Sequence, residues 1–142
     1  MGTTASRKIA YLAVVALSAG CASNASAAAP DNAAVCRAFS SGQSRVEVTA
    51  QGTVAHDFGV RPGRESAHEG FLLRLSSDCN VVVRVEANTD FTGAFALRQG
   101  ETVVVRGEYE YYPRGGVIHW THRDPRGRHP DGFVQIDGKT FG

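Results

Sequence analysis

The chain has 142 residues, 42% hydrophobic and 20% charged, with a formal charge of +1. That length allows one domain with a single modest core, and the near-neutral charge disfavours a general nucleic-acid binder, which would be strongly basic. There is no G-x-S-x-G elbow, P-loop, HExxH or C-x-x-C, so the commonest hydrolase, nucleotide, metalloprotease and redox signatures are missing.

Arg7 and Lys8 precede an uncharged apolar run, Ile9 to Ala19, and small residues follow from Gly20 to Ala29. This layout predicts a secretory signal, its apolar core too short to span a bilayer as a stable helix. Two cleavage sites compete. Leu17-Ser18-Ala19-Gly20-Cys21 resembles a lipobox, with Ser18 where Leu is usual. Cleavage there removes residues 1–20, makes Cys21 the lipidated first residue and provides the one expected link to a membrane. Ala25-Ser26-Ala27 is the A-x-A alternative, with a signal of residues 1–27 and a soluble product. The expected product is exported, as a periplasmic or cell-envelope lipoprotein or in secreted form. Losing Arg7 and Lys8 leaves thirteen of the fifteen basic residues against fourteen acidic ones, a charge near −1. With Cys21 lipidated or removed, Cys36 and Cys79 remain, and in an oxidising compartment they are expected to bridge.

Asp31 is a good N-cap, and Val35, Cys36 and Phe39 share a helical face, predicting a short helix from Asn32 to about Ser41, ended by Gly42. From Ser44 the period becomes two: Val46, Val48, Ala50, Gly52 and Val54 alternate with polar residues, a long strand bent at its glycine. His56 continues its apolar face. Asp57 to Glu69 reads as a surface loop. Phe71, Leu73 and Leu75 mark a second strand; Val81, Val83 and Val85 mark a third, joined to it at Ser77-Asp78-Cys79-Asn80. Asn88 to Gly100 is a connection. Val103 to Tyr109 is a fourth strand with Arg106, Glu108 and Glu110 on its solvent face, where alternate carboxylates are usually just solvated. Pro113-Arg114-Gly115-Gly116 turns into a fifth strand, Val117 to Thr121, and a hairpin from Phe133 to Phe141 turns on Asp137-Gly138. The expected class is all-β: a small OB-like five-stranded barrel (residues 43–142) with a C-terminal β-hairpin, preceded by a tether and one short N-terminal helix (28–42). A β-sandwich is the runner-up, with few strands for two sheets.

Chemistry concentrates between Gly115 and Gly132, a segment with three of the five histidines, three arginines and two aspartates. Strand alternation puts Ile118, Trp120 and His122 on one face, the first two in the core, and His119 and Thr121 on the other. Asp124 to Asp131 then forms a polar loop at the rim.

This segment, Gly-Gly-Val-Ile-His-Trp-Thr-His-Arg-Asp-Pro-Arg-Gly-Arg-His-Pro-Asp-Gly, resembles the signature of small exported bacterial proteins in the family called domain of unknown function 3465. A looser likeness runs back through Gly107-Glu108-Tyr109-Glu110 and His68-Glu69-Gly70-Phe71 to the helix. The chain departs from the family after the third strand, with Glu86-Ala87-Asn88 in place of an Ala-His-Asn run, so any role of that His is lost. The resemblance implies export and a shared fold, and no established activity.

Four readings of the segment follow. A divalent, zinc-like metal needs three or four of His119, His122, Asp124, His129 and Asp131 to converge, the first four foremost, and His119 and His122 can do so only if the strand ends between them. A metal-dependent phosphodiesterase or nuclease would use His122 or His129 as general base, with an arginine steadying the phosphate. A binding module would present His119, His122, Arg123, Asp124, Arg126, Arg128, His129 and Asp131 to a small anionic ligand or acidic polymer. A purely structural or interaction domain of the cell envelope would use the same polar groups to staple the loop. The expectation is an exported binding module for an anion or a metal, which His68 would join only if the first long loop and the later strands share one end of the barrel, a placement the sequence does not decide. Tyr109, Tyr111 and Tyr112 serve as packing or as a stacking surface.

Overall fold

The computed structural model describes residues 1–2 and 28–142; the rest of the expected signal segment, Cys21 included, lies outside the described residues. The helix forms where its caps predict. α1 spans Asn32–Ser41, the Asp31 carboxylate accepts from the Ala34 amide, and Gly42 closes it in the left-handed region at φ 68°. The Asn32 side chain ties α1 to the sheet, bonding both the amide and the carbonyl of Gln51 at 2.8 Å.

Seven strands follow: β1 (Val46–Pro62), β2 (Ala67–Leu75), β3 (Val82–Asn88), β4 (Thr102–Glu110), β5 (Val117–His119), β6 (Phe133–Ile136) and β7 (Lys139–Phe141). Their order is β1-β2-β3-β5-β4-β6-β7, and β1 also pairs with β4. The first five therefore close into a barrel-like, OB-like ring, with the β6–β7 hairpin flanking β4. Gly52 is the closure point. It pairs with Leu75 on one side and Val103 on the other, and a Cβ there would lie 2.1 Å from the Arg74 carbonyl oxygen. Val54, Phe71, Leu73, Val83, Val85, Val103, Val105, Tyr109 and Ile118 fill the inside with almost no exposure.

Four local expectations are corrected. Asp57–Glu69 is not a loop: β1 continues to Pro62 and β2 begins at Ala67. Register shifts at Val54/His56 and Asp57/Gly59 insert extra residues, which hides the alternation. His56 consequently leaves the apolar face, is exposed, and packs edge-on to Phe58 at 4.6 Å. The connection after β3 holds a one-turn helix, α2 (Thr89–Thr92), capped by Asn88. Finally, β5 stops at His119, because Trp120 is left-handed at φ 54°.

Cys36 of α1 and Cys79 of the β2–β3 turn form a disulfide with their Cα atoms 6.0 Å apart, across 43 residues of sequence. Replacing both by Ala should lower unfolding stability by about 4 kcal/mol in the chain-entropy account, measured by denaturant titration; unchanged stability would contradict the bridge's role.

Candidate metal centre on the outer sheet face

The left-handed residue reorganises the predicted segment. Ile118 points into the core and His119 outward, as alternation requires. Trp120 then breaks the alternation: it is 36% exposed, and Thr121 takes the buried position. Trp120 was expected in the core and instead lines the same outer recess as His119 and His122, about 380 Å³ in volume. His68 joins them from β2, with Glu86 and Asn88 from β3. The strand thus does end between His119 and His122.

His122 is 4% exposed. Its ring stacks on Phe91 of α2 at 4.4 Å, and its Nδ1 lies 2.7 Å from the Arg123 carbonyl oxygen. His129 packs against Trp120 at 4.1 Å, with its Nδ1 3.0 Å from the Pro130 carbonyl oxygen.

The loop beyond is tied to itself. The Asp124 carboxylate accepts from the amides of Arg126 at 3.0 Å and Arg128 at 2.6 Å, and the Asp124 amide donates to Asp131. These amide bonds, the Arg126 one foremost, hold the Asp124 carboxyl down to about 2. Arg128 and His129 lie 3.5 and 3.7 Å from Asp124, and Arg123 lies 3.5 Å from Asp131. Arg123, Arg126 and Arg128 are otherwise exposed. These are the bonds of an Asx-type staple.

The group with metal-ligand spacing sits elsewhere. Among the described residues, Glu108, Glu110 and His119 bring one ligand atom each within 4.8 Å of one another. His119 is directly opposite Glu108 in the β4–β5 ladder, and Glu110 is one pleat along. The His119 Nε2 is 3.6 Å from Glu108 and 3.9 Å from Glu110; it is buried and has no hydrogen-bond partner. Of the expected ligands His119, His122, Asp124 and His129, only His119 belongs to this group. Glu108 and Glu110, first read as solvated, complete it. Registering β4 against β5 through the Tyr111–Gly116 turn is the sequence signal that places them opposite His119.

On β2, paired with Val60 and Ala87, Glu69 is 3% exposed with an unpartnered Oε1, and burial, aided by a hydrogen bond to Asp57, pushes its carboxyl up to about 7.

Fold and site together define an all-β, OB-like domain with one disulfide and a mixed carboxylate–imidazole cluster on its outer face. Such a disulfide is characteristic of an oxidising compartment outside the cytoplasm. The sequence family described as "Protein of unknown function (DUF3465)" matches residues 14–142, and the chain belongs to it. No curated protein and no solved structure matches the chain.

A staple role for Asp124 has a pH signature. Its folded carboxyl lies below the ordinary 3.8, so the loop's stabilisation is complete above that value and is lost as pH falls through about 2. Asp124→Asn should speed hydrogen exchange at the Arg126 and Arg128 amides at neutral pH while leaving the ring strands protected. Unchanged exchange at both amides would refute the staple.

Proposed function

We propose that this is an exported binding module that holds a divalent transition metal of the zinc class on Glu108, Glu110 and His119. The observation that carries the reading is the buried, unpartnered His119 Nε2 facing two carboxylates at 3.6 and 3.9 Å. Ligand atoms on a tetrahedral zinc lie about 3.4 Å apart, so small side-chain shifts would close the set. Two carboxylates and one imidazole suit zinc or a neighbouring divalent metal. They leave coordination positions open to water or to an anionic ligand entering beside His68 and Glu86. A bound metal would supply Lewis acidity there; Glu108, Glu110 and His119 would hold it, while Trp120 and His68 limit access.

Export is supported by the disulfide and by the signal-like start with its two cleavage sites. In this reading residues 1–27, or 1–20 with a lipid anchor on Cys21, are removed, residues 28–42 carry the tether and α1, and 43–142 form the ring domain. The enzymatic alternative, a metal-dependent phosphodiesterase or nuclease, keeps the same metal group. It draws support from His68, which lines the same recess as His119.

Metal content separates these readings from an ion-pair cluster. Purified protein dialysed against zinc should retain about one equivalent. His119→Ala should lose it with an unchanged circular dichroism spectrum, and His129→Ala should keep it. A wild type without metal, or His119→Ala with a full equivalent, would overturn the proposal. EDTA-sensitive cleavage of a phosphodiester would then move the reading from binding to catalysis.

A further inference from the structure

A larger recess on the same outer face plays no part in holding the metal. Its floor is made by Leu72, Val82 and Val117, half-buried side chains from three neighbouring strands, β2, β3 and β5, in a cavity of about 630 Å³. An apolar floor on the solvent side departs from the usual polar outer face of an antiparallel sheet.

The wall is the β4–β5 turn, and this turn is built rigidly. The Tyr109 hydroxyl, inside the ring, donates to the Gly115 carbonyl at 3.2 Å. Gly115 and Gly116 have φ of 104° and 82°, and a Cβ on them would lie 2.0 Å from the Val82 oxygen and 2.3 Å from the Tyr109 oxygen. Only glycine fits there, so the turn presses on β3 and fixes the residues it carries. The two tyrosines it carries have different surroundings. Tyr111 packs on Phe39 at 5.9 Å and its amide donates to Ser44. Tyr112 lines the recess and is 59% exposed.

Charge selects the occupant. Arg84 is committed, ion-paired with Glu86 and standing 5.0 Å from the Phe58 ring. Arg114 also lines the recess, is exposed, and among the described residues has no carboxylate in ion-pair range. A bare inorganic anion would leave the apolar floor uncovered, and a neutral hydrocarbon would leave Arg114 unused. An extended polyanion would meet Glu86, Glu108 and Glu110 along the same face. The volume falls within the range of small-molecule sites.

We propose that this recess binds a small planar organic acid, its aromatic ring on Leu72, Val82 and Val117 beside Tyr112 and its carboxylate or phosphate on the Arg114 guanidinium. The guanidinium offers paired donors to either anion, and the ring covers the floor while packing against a tyrosine. Occupancy of the recess does not require a metal, so the two proposals fail separately.

The test is calorimetric titration of the purified, oxidised protein in EDTA with 1-naphthoate, phenyl phosphate and the neutral 1-naphthalenemethanol. Both acids should bind saturably at one site, and naphthoate about tenfold or more tighter than the alcohol, as expected for a charge-assisted contact. Arg114→Met should remove that preference, and Tyr112→Ala should weaken all three ligands. Both side chains are exposed, and the acid-against-alcohol comparison in wild type does not depend on any variant folding. Absence of saturation by either acid, equal affinity for the alcohol, or unchanged binding in both variants would overturn the proposal.

Discussion

At the end of β5 the backbone of Trp120 turns left-handed, and that single residue changes which side chains share a surface. Without it, pleating would carry Trp120 inward and separate His119 from His122. With it, His119 faces β4, Thr121 plugs the ring, and His122 slides under Phe91. A non-glycine residue in this conformation costs roughly 1–2 kcal/mol. The surrounding packing holds it: Trp120 lies against His129, and the Gly132 amide donates to the His122 carbonyl at 2.9 Å, drawing the returning chain alongside. Backbone strain of this kind concentrates where a surface has been shaped for a ligand.

The outer face therefore divides its polar residues between two jobs. Asp124, Asp131 and the arginines around them mostly satisfy one another and the loop backbone, leaving little bonding capacity on the buried acceptors. His119, Glu108 and Glu110 are half-buried with their ligand atoms within 4.8 Å of one another, and the His119 Nε2 has no hydrogen-bond partner among the described residues. Buried polar groups normally have partners; His129 Nε2, 3.7 Å from Asp124, is orphaned as well, but among the described residues only Glu108, Glu110 and His119 bring three ligand atoms together. The β4–β5 turn then adds an apolar recess beside the cluster, with the Arg114 guanidinium unpaired among the described residues.

Much of the architecture was legible in the sequence, because alternation, caps and turn residues agree over most of the chain outside the bulged half of β1 and the connection that holds α2. The bounds of α1, the ring strands, the Asp137-Gly138 hairpin and the Cys36–Cys79 bridge all follow from local signals. The failures share a cause. Two bulges in β1 and one left-handed residue after β5 each shift a side chain across the sheet, and neither leaves a mark in residue types. The site suffered most, since a strand face decides which residues can meet. Of the residues singled out, His119 enters the carboxylate–imidazole group, and the other members stand on β4, across the ladder, rather than in the histidine- and aspartate-rich loop that follows it in sequence.

Anomalous diffraction at the zinc edge, from crystals of the purified protein grown with zinc, tests the account most directly. A single strong peak about 2.0–2.2 Å from His119 Nε2 and from carboxylate oxygens of Glu108 and Glu110 is the predicted result. A peak among His122, Asp124 and His129 instead, or none on the protein, would contradict the assignment of the outer sheet face as the metal centre.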